Sequence, residues 1–218
     1  MTGPEMLDWL RSRRSVRTFT ADPVARDALV RILEAATSAP SSTNRQPWRF
    51  TVARSAAMRA SIVDAVARKT AEMKRIIARS HHADDFGDYG DFFHEPLAAA
   101  QVIVVPQYRT YPDLIANLIA SGGGDPAQFS TARAMQAELC STSAAIMALL
   151  LQVHAEGLGA CMMAGPMVAQ AELHALLGIA EPWRMVGAIA IGHPAGPAAP
   201  RGRKPLDRVV HWIDEEER

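Results

Sequence analysis

The chain has 218 residues, a formal net charge of zero and a pI near 7.1. A hydrophobic share of 49% against 21% charged residues suits a globular protein that buries a sizeable core, and argues against a disordered chain. The neutral balance speaks against a nucleic-acid or membrane-surface partner, and neither a cleavable leader nor an apolar run of bilayer length is read, so a cytoplasmic setting is expected.

Residues 4–13 carry Met6, Trp9 and Leu10 at helical spacing, which predicts a short amphipathic helix. It delivers Arg13-Arg14-Ser15-Val16-Arg17 at its C-terminal end, where cations suit the helix dipole. Guanidinium forks match phosphate oxygens two at a time and stay charged at any working pH. A basic surface run would read the same way. After a turn at residues 19–23, Leu29, Ile32, Leu33 and Ala36 share one face of a second helix, with Asp22 or Asp27 near its start. That helix ends at Ser38-Ala39-Pro40.

The run Pro40-Ser41-Ser42-Thr43-Asn44-Arg45-Gln46-Pro47-Trp48 follows. Its prolines fix φ at both ends, and its hydroxyls and amides both donate and accept. Such a loop can hold the edge of a planar, heteroatom-rich ring, or it can be an ordinary solvated turn. Residues 48–53 alternate as a half-buried strand, and a long helix spans 55–79 with Met58, Ile62, Val66, Met73 and Ile76 recurring.

Residues 80–95 mix acids, glycines and aromatics without a period. His81, His82 and His94 lack the helical spacing of a metal pair, so no metal is assigned. A flap with Phe86, Tyr89, Phe92 and Phe93 as stacking groups is the reading adopted. Residues 101–106 read as a central apolar strand. Gly122-Gly123-Gly124-Asp125-Pro126 lacks the Gly-Lys-Ser/Thr of a phosphate loop and reads as a flexible connection within 108–128.

A long apolar helix covers 131–154, with Gly157 as its C′ residue. Cys140 and Cys161 fall in predicted helix and strand interiors and are expected as buried free thiols. Gly157-x-Gly159 follows a helix and lacks the third glycine, so it is no dinucleotide fingerprint. A short strand then leads to Met163-Ala164-Gly165, where glycine permits close backbone approach to a ligand. A helix over 168–177, a strand over 184–191, an extended linker over 195–200 carrying Arg201, Arg203 and Lys204, a strand over 208–213 and a solvated acidic tail over 214–218 complete the reading.

Arg13, Ser15 and Arg17, then Pro40, Ser41, Asn44, Gln46, Pro47 and Trp48, then residues 157–165, then Ile191-Gly192-His193-Pro194 with Arg201 to Pro205, resemble the nitroreductase family of FMN-dependent NAD(P)H oxidoreductases. Residues 157–165 with Glu181-Pro182-Trp183-Arg184 are also similar to the nitroreductase-like domain tied to deazaflavin biosynthesis. The resemblance implies an α+β fold with a central mixed, mostly antiparallel sheet flanked by helices, in an intertwined homodimer with the flavin at the subunit interface. The whole chain, 1–218, is expected as one FMN-binding domain, with 80–130 as a flap or lid insertion.

The implied FMN contacts are Arg13, Arg14, Ser15 and Arg17, with Arg201 and Arg203 returning to the same phosphate; Pro40, Ser41, Ser42, Asn44 and Gln46 at the ring; and Met163, Ala164 and Gly165 with a backbone N–H toward flavin N5. Ala164 stands where many relatives carry an acid, so only a backbone role is assigned there. NAD(P)H is the implied electron donor and a small, electron-poor molecule the acceptor: a nitroaromatic, a quinone or a conjugated C=C bond. Reduction of one biosynthetic intermediate, or flavin carriage without NAD(P)H turnover, are the alternatives. No catalytic acid or nucleophile is assigned.

Overall fold

The computed structural model describes residues 2–86, 89–131 and 133–213. The expected acidic tail, and residues 87–88 of the expected flap, lie outside the described residues.

The helix α1 (Gly3–Ser12) begins at a reciprocal cap, where Thr2 N–H donates to Glu5 Oε2 at 2.7 Å and Glu5 N–H to Thr2 Oγ1 at 3.4 Å. The second helix, α2 (Arg26–Thr37), buries Leu29, Ile32 and Ala36 as the spacing predicts. Next come β1 (Trp48–Ala53) and α3 (Ala56–Ile77), the latter capped by the Ser55 hydroxyl. The chain continues through α4 (Ala83–Phe86), α5 (Glu95–Ala99), β2 (Val102–Arg109), α6 (Leu114–Ser121) and α7 (Ala137–Ala155). It finishes with β3 (Gly159–Met163), α8 (Gln170–Leu177), β4 (Trp183–Met185) and β5 (Ala188–Gly192).

The strands pair in the order β1-β2-β5-β3, with β4 on the far end of β2, and every ladder is antiparallel. Among the described residues a parallel element enters only as the isolated Ser15–Ala160 bridge. Helices cover both faces, so the central strands are apolar on both sides. Ile103, Val105, Ala188 and Ala190 join Ile62, Val66, Leu97 and Leu173 of α3, α5 and α8. The alternate residues Val102, Val104, Ile189 and Ile191 join Ile32, Ile146, Leu149 and Val153 of α2 and α7. Gln107 is buried and satisfied: it accepts from Arg49 Nε at 2.7 Å and donates to Thr51 Oγ1 at 2.6 Å.

Several expectations are corrected. The strand expected over 184–191 is two strands, because Gly187 sits at φ 146° with Met163 O only 2.4 Å from where its Cβ would stand. The break lets β4 pair with β2 while β5 turns to pair with β3 as well. The flexible connection over 108–128 holds α6, capped by Asp113, and a 3-10 turn Pro126–Gln128 capped by Asp125. Residues 208–213 form no strand: a 3-10 turn, Leu206–Arg208, is followed by chain that meets no partner strand among the described residues. Cys161 is buried as expected, whereas Cys140 faces out from α7. By length and composition alone α7 would suit a bilayer, contrary to the first reading, but it packs on α2 and the sheet and its buried stripe belongs to the core.

Arg31 of α2 grips Glu156 beyond α7 in a fork, Nε and Nη2 to the two carboxylate oxygens at 2.8 and 2.7 Å. With Gln152 also donating, these bonds hold the Glu156 carboxyl down at about 2. Its folded pKa lies below the unfolded one of ~4.3, so the stabilisation is complete above that value and vanishes as pH falls through the folded pKa. Denaturant unfolding from about pH 5 to pH 2 should therefore show wild type ahead of Glu156→Gln at the upper end, the gap closing downward. Parallel profiles would contradict this.

Candidate functional site

Both chain ends are fastened to one edge of the sheet. Val16 N–H donates to Ala160 O at 2.9 Å, in the Ser15–Ala160 bridge that lays residues 13–17 along β3. A Cβ on Gly159 would come within 2.7 Å of Val16, so only glycine admits this approach. A few residues on, Thr20 N–H donates to His193 O at 2.9 Å and Ala195 N–H to Thr18 O at 3.1 Å, flanking a Phe19–Pro194 bridge. The segment after β5 is thereby held beside the arginine segment.

As a result Arg13, Arg14, Ser15 and Arg17 share a cavity of about 500 Å³ with Arg201 and Arg203. The expectation that basic side chains from both ends meet agrees with this geometry. Among the described residues none of these arginines forms an ion pair. Arg14, Arg17 and Arg203 donate instead to nearby carbonyls: Arg14 to Arg11 O and Arg13 O, Arg17 to Ser15 O, Arg203 to Arg201 O and Gly202 O. Uncompensated like charges in one cavity repel, and a multivalent anion relieves that repulsion. Neighbouring groups register the field. The His154 imidazole is pushed down first by burial and then by Arg13 and Arg14. Burial pushes the Cys161 thiol up, with Arg17 and Arg13 pulling the other way.

Arg17 also lines a second cavity of about 550 Å³, whose floor includes Met163, Ala164 and Gly165. Gly165 opens the 3-10 helix Gly165–Ala169, so its N–H has no intrahelical carbonyl to meet. Arginines at one end and an available backbone donor at the other suit a flat ligand with an anionic tail.

The loop over 40–47 lies elsewhere in the chain. Of Pro40, Ser41, Ser42, Asn44 and Gln46, none lines either of the two cavities that Arg17 shares, and Ser42 lines a third of about 630 Å³ beside α7 and the end of β2. The expected meeting of this loop with the arginines does not occur within one chain. The loop is nonetheless built rather than slack. Thr43, Asn44 and Gln46 take φ of 52°, 53° and 47°, a left-handed region that costs non-glycine residues about 1–3 kcal/mol each. Gln46 N–H donates to Ser41 Oγ at 3.0 Å, Gln46 Nε2 to Asn44 Oδ1 at 3.2 Å, and Ser42 N–H to Ser141 Oγ at 3.1 Å. Arg45 pairs with Glu138 at 3.6 Å. Ser42, Asn44 and Gln46 remain exposed. Sequence reading missed Ser141 and Glu138, which sit on α7 where an apolar core was expected, and Met73 and Met167 of the second cavity, which carry ordinary helical spacing.

Inorganic phosphate should raise the thermal midpoint of the wild type, since a ligand at a hundred times its Kd stabilises by ~2.7 kcal/mol. The double variant Arg17→Ala with Arg203→Ala should lose most of that rise; an equal rise in both proteins would contradict the shared anion site.

Comparison with known proteins identifies the family and the fold. The profile of the Nitroreductase family matches residues 10–193. A Thermus thermophilus protein named NADH dehydrogenase is 29% identical over 206 residues, covering 92% of each chain. Among solved structures, a BluB-like flavoprotein from Clostridium difficile 630 superposes with a TM-score of 0.84 at 22% identity, covering 96% of this chain and 99% of that one. A Desulfovibrio desulfuricans protein named as a nitroreductase and solved in complex with FMN gives 0.66 at 25% identity, covering 98% and 99%.

Proposed function

Because the chain belongs to the nitroreductase family, we propose that it is an FMN-dependent NAD(P)H oxidoreductase that reduces an electron-poor small molecule: a nitroaromatic, a quinone or a conjugated C=C bond. The observation that carries this reading is the cavity where Arg13, Arg14, Arg17, Arg201 and Arg203 meet with no carboxylate among the described lining residues, joined through Arg17 to the backbone at 163–165. Residues and group fit: a phosphate dianion answers the guanidinium cluster, and a heteroaromatic ring answers the available N–H of Gly165.

FMN, when bound, would supply hydride-transfer chemistry between NAD(P)H and the acceptor. For a quinone the balance is quinone plus NAD(P)H plus a solvent proton, giving hydroquinone and NAD(P)⁺. The chain's own part is placement and electrostatics. Arg13, Arg17, Arg201 and Arg203 would hold the phosphate, and the Gly165 N–H would face the ring edge. Arginine charge nearby would stabilise negative charge on the bound group.

The same reading takes in a homodimer with the flavin at the subunit interface. It is supported by the loop over 40–47, strained and exposed yet away from the arginines of its own chain, which is where a donor to a partner's ring would stand. Apolar residues left exposed on α1 (Met6, Leu7, Leu10), on α6 (Leu114, Ile115, Leu118) and along the C-terminal arm (Val209, Trp212, Ile213) support it as well. Residues 1–218 act as one FMN-binding unit in this account; of the expected flap over 80–130, Tyr89, Phe92 and Phe93 border the pocket, whereas 102–109 form the central strand β2. Free thiols at Cys140 and Cys161 accord with the reducing cytoplasm.

Anaerobic addition of NADH or NADPH to the FMN-loaded protein should bleach the flavin absorption rapidly; no bleaching with either nucleotide would overturn the reductase reading. Charged hydrogen bonds contribute about 1.5–3 kcal/mol each, so Arg17→Ala with Arg203→Ala should weaken FMN affinity about 100-fold or more. Unchanged occupancy in that variant would sink the phosphate assignment.

A further inference from the structure

We infer that His154, acting through Ser12, positions the arginine segment for its anion, and that the arriving anion draws a proton onto the imidazole. The inference rests on the anion site of the reading above and gives that site a positioning residue and a pH response.

Helix α1 buries none of its own residues, so its length does little to hold the arginines that follow it. Its last turn is fastened to α7 instead. Ser12 Oγ lies 2.7 Å from His154 Nε2 and 2.7 Å from Trp9 O, and the Trp9 and His154 rings lie 5.3 Å apart, tilted by 37°. The Trp9 carbonyl can only accept. Both contacts are therefore satisfied when the Ser12 hydroxyl donates to Trp9 O and Ser12 Oγ accepts from His154 Nε2–H. Further on, Val16 N–H donates to Ala160 O. Arg13 and Arg14 thus stand between two tethers, one to a side chain of α7 and one to the edge strand β3. Both line the cavity of about 500 Å³ with Arg17, Arg201 and Arg203, and both line a smaller one of about 320 Å³ whose wall holds Ser12 and His154.

The charges around the imidazole decide its protonation. The end of α1 brings Arg13 and Arg14, while Arg11 of the same helix pairs with Asp8. Residues 194–198, which close the smaller cavity, bring no charge. Glu156 follows His154, but its carboxylate is taken by Arg31 of α2 and by Gln152. Burial first, then Arg13 and Arg14, hold the imidazole below its ordinary value. A dianion among the guanidinium groups cancels the repulsive share, so the imidazole binds its proton more tightly in the complex. The linkage is reciprocal: protonated His154 binds the anion more tightly, and affinity rises as pH falls through the imidazole range. The neutral ring still donates from Nε2–H to Ser12, so the tether persists at high pH and only the added charge is lost.

The test is calorimetry of sulfate, a dianion throughout the range used, with the flavin-free full chain. Wild type should bind about threefold more tightly, or better, at about pH 5.5 than at about pH 8. It should also take up protons on binding, read from two buffers of different ionisation heat. His154→Gln keeps an N–H for Ser12 but carries no charge, so it should match wild type at the upper pH and lose both the slope and the proton uptake. Ser12→Ala drops the tether and keeps the imidazole, so it should bind about three- to tenfold more weakly at both pH values with the slope retained. Equal slopes and equal proton uptake in wild type and His154→Gln would overturn the linkage. Wild-type affinity in Ser12→Ala would overturn the positioning role. Failure of the wild type to bind sulfate at either pH would instead strike the anion site, and this inference with it.

Discussion

The hydrogen bond from Val16 N–H to Ala160 O, with the Phe19–Pro194 bridge beside it, is the constraint from which the site follows. It makes the N-terminal arginine segment an extra rung on the edge strand β3, and it lays the chain leaving β5 alongside. Two places without side chains make this possible: Gly159 beneath Val16, and Gly192, whose Cβ would stand 3.0 Å from Phe19. Residues nearly two hundred positions apart thereby share one cavity. Without those tethers the same arginines would be scattered surface charge.

A chain with no net charge can still hold a strong local field, and here it does. Positive side chains collect at one end of the sheet while several acids pair away from it, Glu156 with Arg31, Glu138 with Arg45 and Asp91 with Lys74. Among the described residues Arg13, Arg14, Arg17, Arg201 and Arg203 have no carboxylate partner, and burial, followed by Arg13 and Arg14, pushes the His154 imidazole down. In the proposed reading the charge cluster would bind an anionic tail and the backbone at 163–165 would orient the ring, two roles carried largely by separate residues.

Much of this was legible in the sequence where a local rule and the tertiary context agree. Strand β1 over 48–53 and the buried face of α2 follow from period alone, and Gly157 and Gly178 end their helices with left-handed φ of 71° and 63°. The arginine and Met163-Ala164-Gly165 segments were recognisable by family resemblance, and the structure brings them to neighbouring cavities. What the sequence hid depends on contacts that local pattern cannot carry. α6 was lost because Leu114–Ser121 is short, mostly apolar and runs into three glycines. The alternation of Val209, Val210, Trp212 and Ile213 reads as a strand, yet the described chain offers it no partner. Cys140 sits on a helix too uniformly apolar for its outward face to be told from its inward one. The placement of residues 40–47 away from the arginines is a fact of topology, set by Ser141 and Glu138 at the start of α7.

The central claim is that guanidinium groups from both chain ends grip a phosphate. Comparing riboflavin with FMN tests it most directly, because the two share a ring and differ only in that group. Titrated into flavin-free protein and followed by flavin fluorescence, FMN should bind at least about 100-fold more tightly, the consequence of two or more charged hydrogen bonds. Equal affinities for the two flavins would contradict the account.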